Sequence, residues 1–329
     1  MDSHALQALG LHLIKMFASI ILVAANVSAN AAWPEKPITI IVPAAPGGTA
    51  DLVSRLLSEK LSTALGTTVV VENKAGAAGI IGSQQLVRAA PDGYTLMMGN
   101  IGPNAINYGL YKTLPYRPDE FQPITLVISS PNLLVVNEQS PFKTVQELID
   151  AIKKDPSKYS FGSSGAGQSP HLSSEMFMQR AGFQIPHIPY KGAGPSVAAL
   201  MGNQYTFMIA TMPSVMTQVR AGKLRALAIT SQTRSSELPE IPTTEEAGIH
   251  DMIVTAWFGL LAPAGTPDDI IQKIQRATRT ILDSPDIRTR FKDLGGEPGG
   301  NSSAEFTAFI NQEIRNWKQT VERAQLTLE

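Results

Sequence analysis

Ile38-Thr39-Ile40-Ile41-Val42 is a short, continuous β-branched run that stops at Pro43. Leu52, Val53, Leu56, Leu57, Leu61, Ala64 and Leu65 then recur at helical spacing, Gly66 supplies a stop, and Thr68-Val69-Val70-Val71 is a second β-branched run. Strand, loop, helix, strand is a βαβ unit. Parallel neighbours cannot be joined by a hairpin and need a crossover of about a dozen residues or more, which this helix provides. The unit therefore fixes an α/β fold with parallel strands, apolar on both faces.

The pattern continues along the chain. A Gly-rich turn over 76–82 leads into a helix ending near Ala90, and Thr95–Met98 returns as a strand after Pro91-Asp92-Gly93. Thr144-Val145-Gln146-Glu147 is a capping box that opens a helix to about Lys154. Tyr159–Gly162 reads as a strand, and a helix from Pro170 to Arg180 stops at Gly182, with Ser169 as its expected N-cap. Phe207–Ala210 and Leu224–Thr230 are strands with a helix around Pro213–Ala221 between them. Thr266 is expected to cap a helix carrying Ile270, Ile271, Ile274, Ile281 and Leu282, and a last helix starts near Ser303. These stripes are read as core.

Two strand-to-helix loops differ from ordinary punctuation. The first is Pro43-Ala44-Ala45-Pro46-Gly47-Gly48-Thr49-Ala50-Asp51, where paired glycines leave backbone N–H groups unshielded at a helix N-terminus. The second, Gly162-Ser163-Ser164-Gly165-Ala166-Gly167-Gln168-Ser169-Pro170-His171, offers amides and hydroxyls before another helix. Open α/β sheets bind ligands beyond the carboxyl ends of their strands, where both loops lie. Facing each other across a cleft, they suit the oxygens of a carboxylate held by neutral donors.

Composition removes several other classes. A net charge of −1, from 27 basic and 28 acidic residues, leaves no basic block for nucleic acid. With no cysteine there is no disulfide, thiolate site or lipid-anchoring thiol. The five histidines are scattered, so neither a metal nor a cofactor is expected. At the N-terminus Lys15 precedes the apolar run Met16–Val27 and then Ala29-Asn30-Ala31, the layout of a secretory signal cleaved after Ala31. The run is too short to span a bilayer.

The motifs together resemble the Bug-type solute-binding proteins of tripartite tricarboxylate transporters. The resemblance rests on Pro46–Asp51, Val71–Gly79, Pro91–Leu96, Gly165–Leu172, Tyr190–Pro195, Ala221–Ala228 and Ala262–Pro267, in that order. It implies a periplasmic α/β clamp of the type II, Venus-flytrap class, with two crossover strands. The expected division is a signal peptide over 1–31, one discontinuous lobe over 32–131 plus 257–329, and a second lobe over 132–256. The implied role is delivery of a dicarboxylate, tricarboxylate or aromatic acid to inner-membrane permease subunits, or presentation of it to a periplasmic sensor domain. A monomer is expected.

Carried over by motif, the ligand contacts are Ala45, Gly47, Gly48 and Thr49 from the first loop. The second loop contributes Ser163, Ser164, Gly165, Gly167 and Ser169, and Thr211 joins them from the strand before Pro213. Asp51 is expected to steady its own helix, His171 to donate from behind the site, and Lys191 to sit at the rim. Many relatives carry an aromatic residue where Ala44 and Ala45 stand, and an aspartate within the stretch that ends here at Thr211. Its absence points to a carboxylate without an ammonium group and to a roomier pocket. An enzyme is not expected: Ala166 breaks a G-x-S-x-G elbow, and Pro170 breaks a G-x-G-x-x-G match.

Overall fold

The computed structural model describes residues 33–323, so the leader and its cleavage site lie outside the described residues. The first βαβ unit is formed by β1 (Ile38–Val42), α1 (Thr49–Leu65) and β2 (Val69–Asn73). β1 pairs parallel with β2, Ile38 opposite Val69, and on its other side parallel with β3 (Thr95–Asn100). α2 (Ile80–Val87) makes the crossover to β3, and the short α3 (Asn107–Leu110) follows it. Gly66 ends α1 in the left-handed conformation that glycine adopts without a Cβ clash.

β4 (Phe121–Asn137) is the longest strand and belongs to two sheets. Up to Pro131 it runs antiparallel to β9 (Thr255–Pro263); from Asn132 onward its partners are β7 (Phe207–Thr211) and β8 (Leu224–Ile229). The first sheet has the order β2-β1-β3-β9-β4, and the second continues as β4-β7-β5-β6, with β5 (Phe161–Ser163) and β6 (His187–Pro189). A two-residue β10 (Glu297–Pro298) flanks β4. β4 thus makes one crossing between the sheets, and the chain returns to the first sheet through β9. Asn132, Thr230 and Val254 knit the crossings: Thr230 N–H donates to the Asn132 carbonyl, Val254 N–H to that of Thr230, and the Asn132 N–H to Thr230 Oγ1.

The second sheet carries α4 (Val145–Lys154), α5 (Ser169–Ala181), α6 (Ala193–Met201) and α7 (Met212–Arg220). Its two faces bury separate clusters, one around Phe161, Phe177 and Phe207 and the other around Leu200, Met208 and Met212. α8 (Asp268–Asp283), α9 (Pro285–Asp293) and α10 (Ser303–Arg323) follow β9. Trp257 is buried edge-on against Phe306 and Phe309 of α10. Burying such side chains is worth about 1.5–3 kcal/mol each, which is how α10 is held to the sheet.

The expected α/β clamp with two crossings is the observed architecture, and Thr144 and Glu147 form the reciprocal capping box. Two caps differ. Gln168, not Ser169, is the N-cap of α5, because the Ser169 hydroxyl already lies in the first turn and accepts from Asn132 Nδ2. Thr266 donates its hydroxyl to the Pro263 carbonyl and closes a turn instead of capping, so Pro267 is the N-cap of α8.

Candidate ligand-binding cleft

Both loops lie at the carboxyl ends of parallel strands, β1 and β5, and each feeds a helix that points its N-terminus inward. The first-turn N–H groups of α1, at Thr49 and Ala50, have no intrahelical acceptor and carry the positive end of the helix dipole. They meet the second sheet closely. Ala45 N–H donates to the Lys191 carbonyl at 3.0 Å, and Thr49 Oγ1 lies 2.7 Å from Thr211 Oγ1. Gly194 packs directly on the Pro46 carbonyl, leaving no space for a Cβ. These contacts bring the walls of the cleft together.

An inner cavity of about 50 Å³ remains between them, and Gly48, Thr49, Ser164, Ser169 and Thr211 all line it. Every residue in its wall is uncharged. Beside Thr211 the Thr49 hydroxyl reaches across the inner cavity, while the larger space lies on the Ala44 side. A larger outer cavity of about 280 Å³ shares Ala44, Ser164 and Gln168 with the inner one and is walled by Gly165, Tyr111, Tyr190 and Lys191. The Gln168 amide donates to the Ala78 carbonyl at 2.7 Å, so its side chain bridges the cleft where the two cavities meet.

The remaining expected residues lie behind these walls. Gly47 N–H donates to Asp51 Oδ2 at 3.0 Å, and a φ of 85° makes glycine the residue that fits this turn. Asp51 is buried, bonded also to Arg55 and Asn73. Burial pushes its carboxyl pKa up, but Arg55, the Gly47 amide and Asn73 outweigh that and hold it below the ordinary aspartate range. Ser163 is fully buried beneath its loop, accepting from Gly165 N–H and pairing with His187 Nε2 at 2.7 Å. His171 does not donate toward the loop: its Nδ1 accepts the Gly167 N–H at 3.2 Å, so that amide is also committed.

Three features of the cleft were not anticipated. Asn100 and Ile101 line the inner cavity at the carboxyl end of β3, a position the strand-end rule could have flagged. Ala193, at the start of α6, and Phe258, on β9, complete the wall through long-range pairing, which leaves no local signal. Gln168 stood inside a recognised loop; a long amide among small residues was the available clue.

Two sheets joined by two crossings, with helix N-termini facing across a cleft whose inner cavity is uncharged, define a solute-binding clamp of the periplasmic-binding-protein class. A family model described as the tripartite tricarboxylate transporter family receptor matches residues 53–326, and the chain belongs to that family. Protein BugT of Bordetella pertussis is 36% identical over 313 residues, 94% of this chain and 96% of its own. The structure of R. palustris Rpa4515 with adipate is similar at a TM-score of 0.87 and 32% identity, covering 90% of this chain and 100% of that one. MatC from Rhodopseudomonas palustris with bound malate gives 0.84 and 31%, covering 88% and 100%. The family is one of transporter receptors, and the periplasmic binding protein BugD is similar at a TM-score of 0.87 and 35% identity, covering 90% of this chain and 100% of that one. Among the described residues, no helix is long and apolar enough to cross a membrane.

Proposed function

We propose that the chain is an exported periplasmic receptor that captures a small carboxylate without an ammonium group and delivers it to tripartite tricarboxylate-type permease subunits. The observation that carries this reading is the inner cavity, where hydroxyls and helix N-termini converge and no ionised group lines the wall. Such a site favours an anion through neutral donors and offers nothing to a cation. Its small volume suits one carboxylate group, with the rest of the ligand extending past Gln168 into the outer cavity. That geometry fits a dicarboxylate first, and a tricarboxylate or aromatic acid next. The adipate and malate held by two relatives support the choice.

In this reading Gly48, Thr49, Ser164, Ser169 and Thr211 meet the inner carboxylate, and Gly165 faces the outer part of the ligand. Ala45, Gly47, Ser163 and Gly167 shape the loops, Asp51 and His171 brace them, and Lys191 stands at the rim. The lobes are 32–131 plus 257–329 and 132–256, and the crossings near Pro131–Asn132 and Val254–Thr255 are the hinge about which they close. The clamp works as a monomer and binds its ligand unchanged.

A thermal-shift screen of the protein lacking residues 1–31 tests this against mono-, di- and tricarboxylates, aromatic acids, and the matching amino acids. A ligand at 100 times its Kd adds about 2.7 kcal/mol of stability, a readily visible rise in melting temperature. A response to a carboxylate and none to its α-amino counterpart is the expected result. No response across the carboxylates, or a preference for the amino acid, contradicts it.

A further inference from the structure

Beneath the second loop, two imidazole rings stack on one another and on a phenyl ring. His171 and His187 have centroids 4.2 Å apart with planes 18° from parallel, and His187 stacks on Phe161 at 4.7 Å. β6 pairs with β5 in register, Phe161 opposite His187, so the sheet itself sets this contact. Each ring is bonded to a different part of the loop. His187 Nε2 meets Ser163 Oγ at 2.7 Å, and that oxygen accepts Gly165 N–H at 3.1 Å; His171 Nδ1 accepts Gly167 N–H at 3.2 Å.

We propose that His171 and His187 form an uncharged positioning pair that fixes the second loop in its ligand-binding shape, His187 acting through Ser163 and His171 through Gly167. The proposal rests on the reading of that loop as a ligand contact. Ser163 is fully buried and His171 nearly so, and neither histidine lines the inner or the outer cavity of the cleft, so they act on the loop and not on the ligand. For His171 the bond direction shows which nitrogen accepts. An N–H donates into His171 Nδ1, so that nitrogen carries no proton, and the ring presents Nε2 to Glu175 Oε1 at 3.5 Å. Protonating Nδ1 replaces an acceptor with a donor aimed at the Gly167 N–H, and a second charge on the stacked ring adds repulsion. The titratable groups facing the pair are Glu175 from α5 and the two rings themselves; β5 presents Phe161 and Ser163, and β7 presents Phe207. Burial together with the neighbouring His171 holds the His187 pKa down to about 3, which favours the neutral ring.

The test uses the protein lacking residues 1–31 and four single variants. His187→Phe and His171→Phe keep an aromatic ring in the stack but remove the bonds. His187→Gln and His171→Asn place an amide oxygen near the lost Nε2 and Nδ1 positions. Hydrogen exchange at the Gly165 and Gly167 amides reads the loop directly, and calorimetric titration with malate and with adipate reads the site. Both Phe variants should speed exchange and raise Kd about tenfold, the scale of one hydrogen bond lost from a bound loop, while the amide variants recover most of both. Protected amides in the Phe variants overturn the proposal, and so does faster exchange with unchanged Kd. If the unaltered protein binds neither acid, the choice of these two dicarboxylates fails on its own. Amide exchange then still decides whether the pair holds the loop.

Discussion

The two loops do the same task with opposite chemistry beneath them. The first is tied from behind by a buried carboxylate: Asp51 takes the Gly47 amide and offsets its own charge against Arg55. The second is tied by neutral imidazoles through Ser163 and Gly167. A buried carboxylate close to an anion site is tolerable only while its lone pairs and charge are engaged elsewhere. Asp51 meets that condition because Gly47 N–H takes one carboxylate oxygen and Arg55 with Asn73 takes the other. The wall of the inner cavity is consequently neutral on both sides, whichever brace stands behind it.

Contact between the walls is the most sensitive feature of the cleft. Gly194→Ala puts a methyl group onto the Pro46 carbonyl, while alanine is the better residue for α6 itself. It should weaken carboxylate binding by about 100-fold with little loss of melting temperature, measured by calorimetric titration and thermal unfolding. Asp51→Ala strands the Gly47 amide and takes one acceptor from Asn73, and should cost about 2–3 kcal/mol in urea denaturation. Thr211→Val removes the bond to Thr49 across the cleft and should raise Kd about tenfold without changing the fold.

Acid separates the two braces. The folded protein resists protonating His187 until about pH 3, whereas an unfolded chain takes up that proton near 6.5. The unfolded state therefore binds more protons in that window, and stability falls as pH drops from about 6.5 toward 3. His187→Phe should flatten that part of the profile. Asp51, with its pKa held below the usual range, contributes stability above the unfolded value of 3.8 that is lost only as pH falls further, through its folded value. The smallest expected effect is that of salt. With no cation in the inner wall, Kd should change by no more than about twofold between 20 and 300 mM salt, where an exposed charged contact would be screened.

Much of this arrangement was legible in the chain. β1, the Gly47-Gly48 loop and α1 follow from local period and punctuation, and so do α5 and its glycine stop. β4 was not legible, although it is the strand that joins the two sheets. Pro123, Pro131, Ser129-Ser130 and Asn132 interrupt any strand-like pattern, because Pro131 sits where partners change and Pro123 at an irregularity in the pairing with β9. The same limit hid His187. It lies 16 residues from His171 with no periodic relation to it, and only the parallel register of β5 and β6 brings the rings together. Asp51 could be read as a local brace because its partner Arg55 lies one helical turn away.

The most direct measurement is a crystal structure of the protein with the carboxylate that gives the largest thermal shift. One carboxylate is expected in the inner cavity, its oxygens within hydrogen-bonding distance of donors on Thr49, Ser164, Ser169 or Thr211 and touching no cationic side chain. A ligand seated elsewhere, or a carboxylate held there by Lys or Arg, would contradict it.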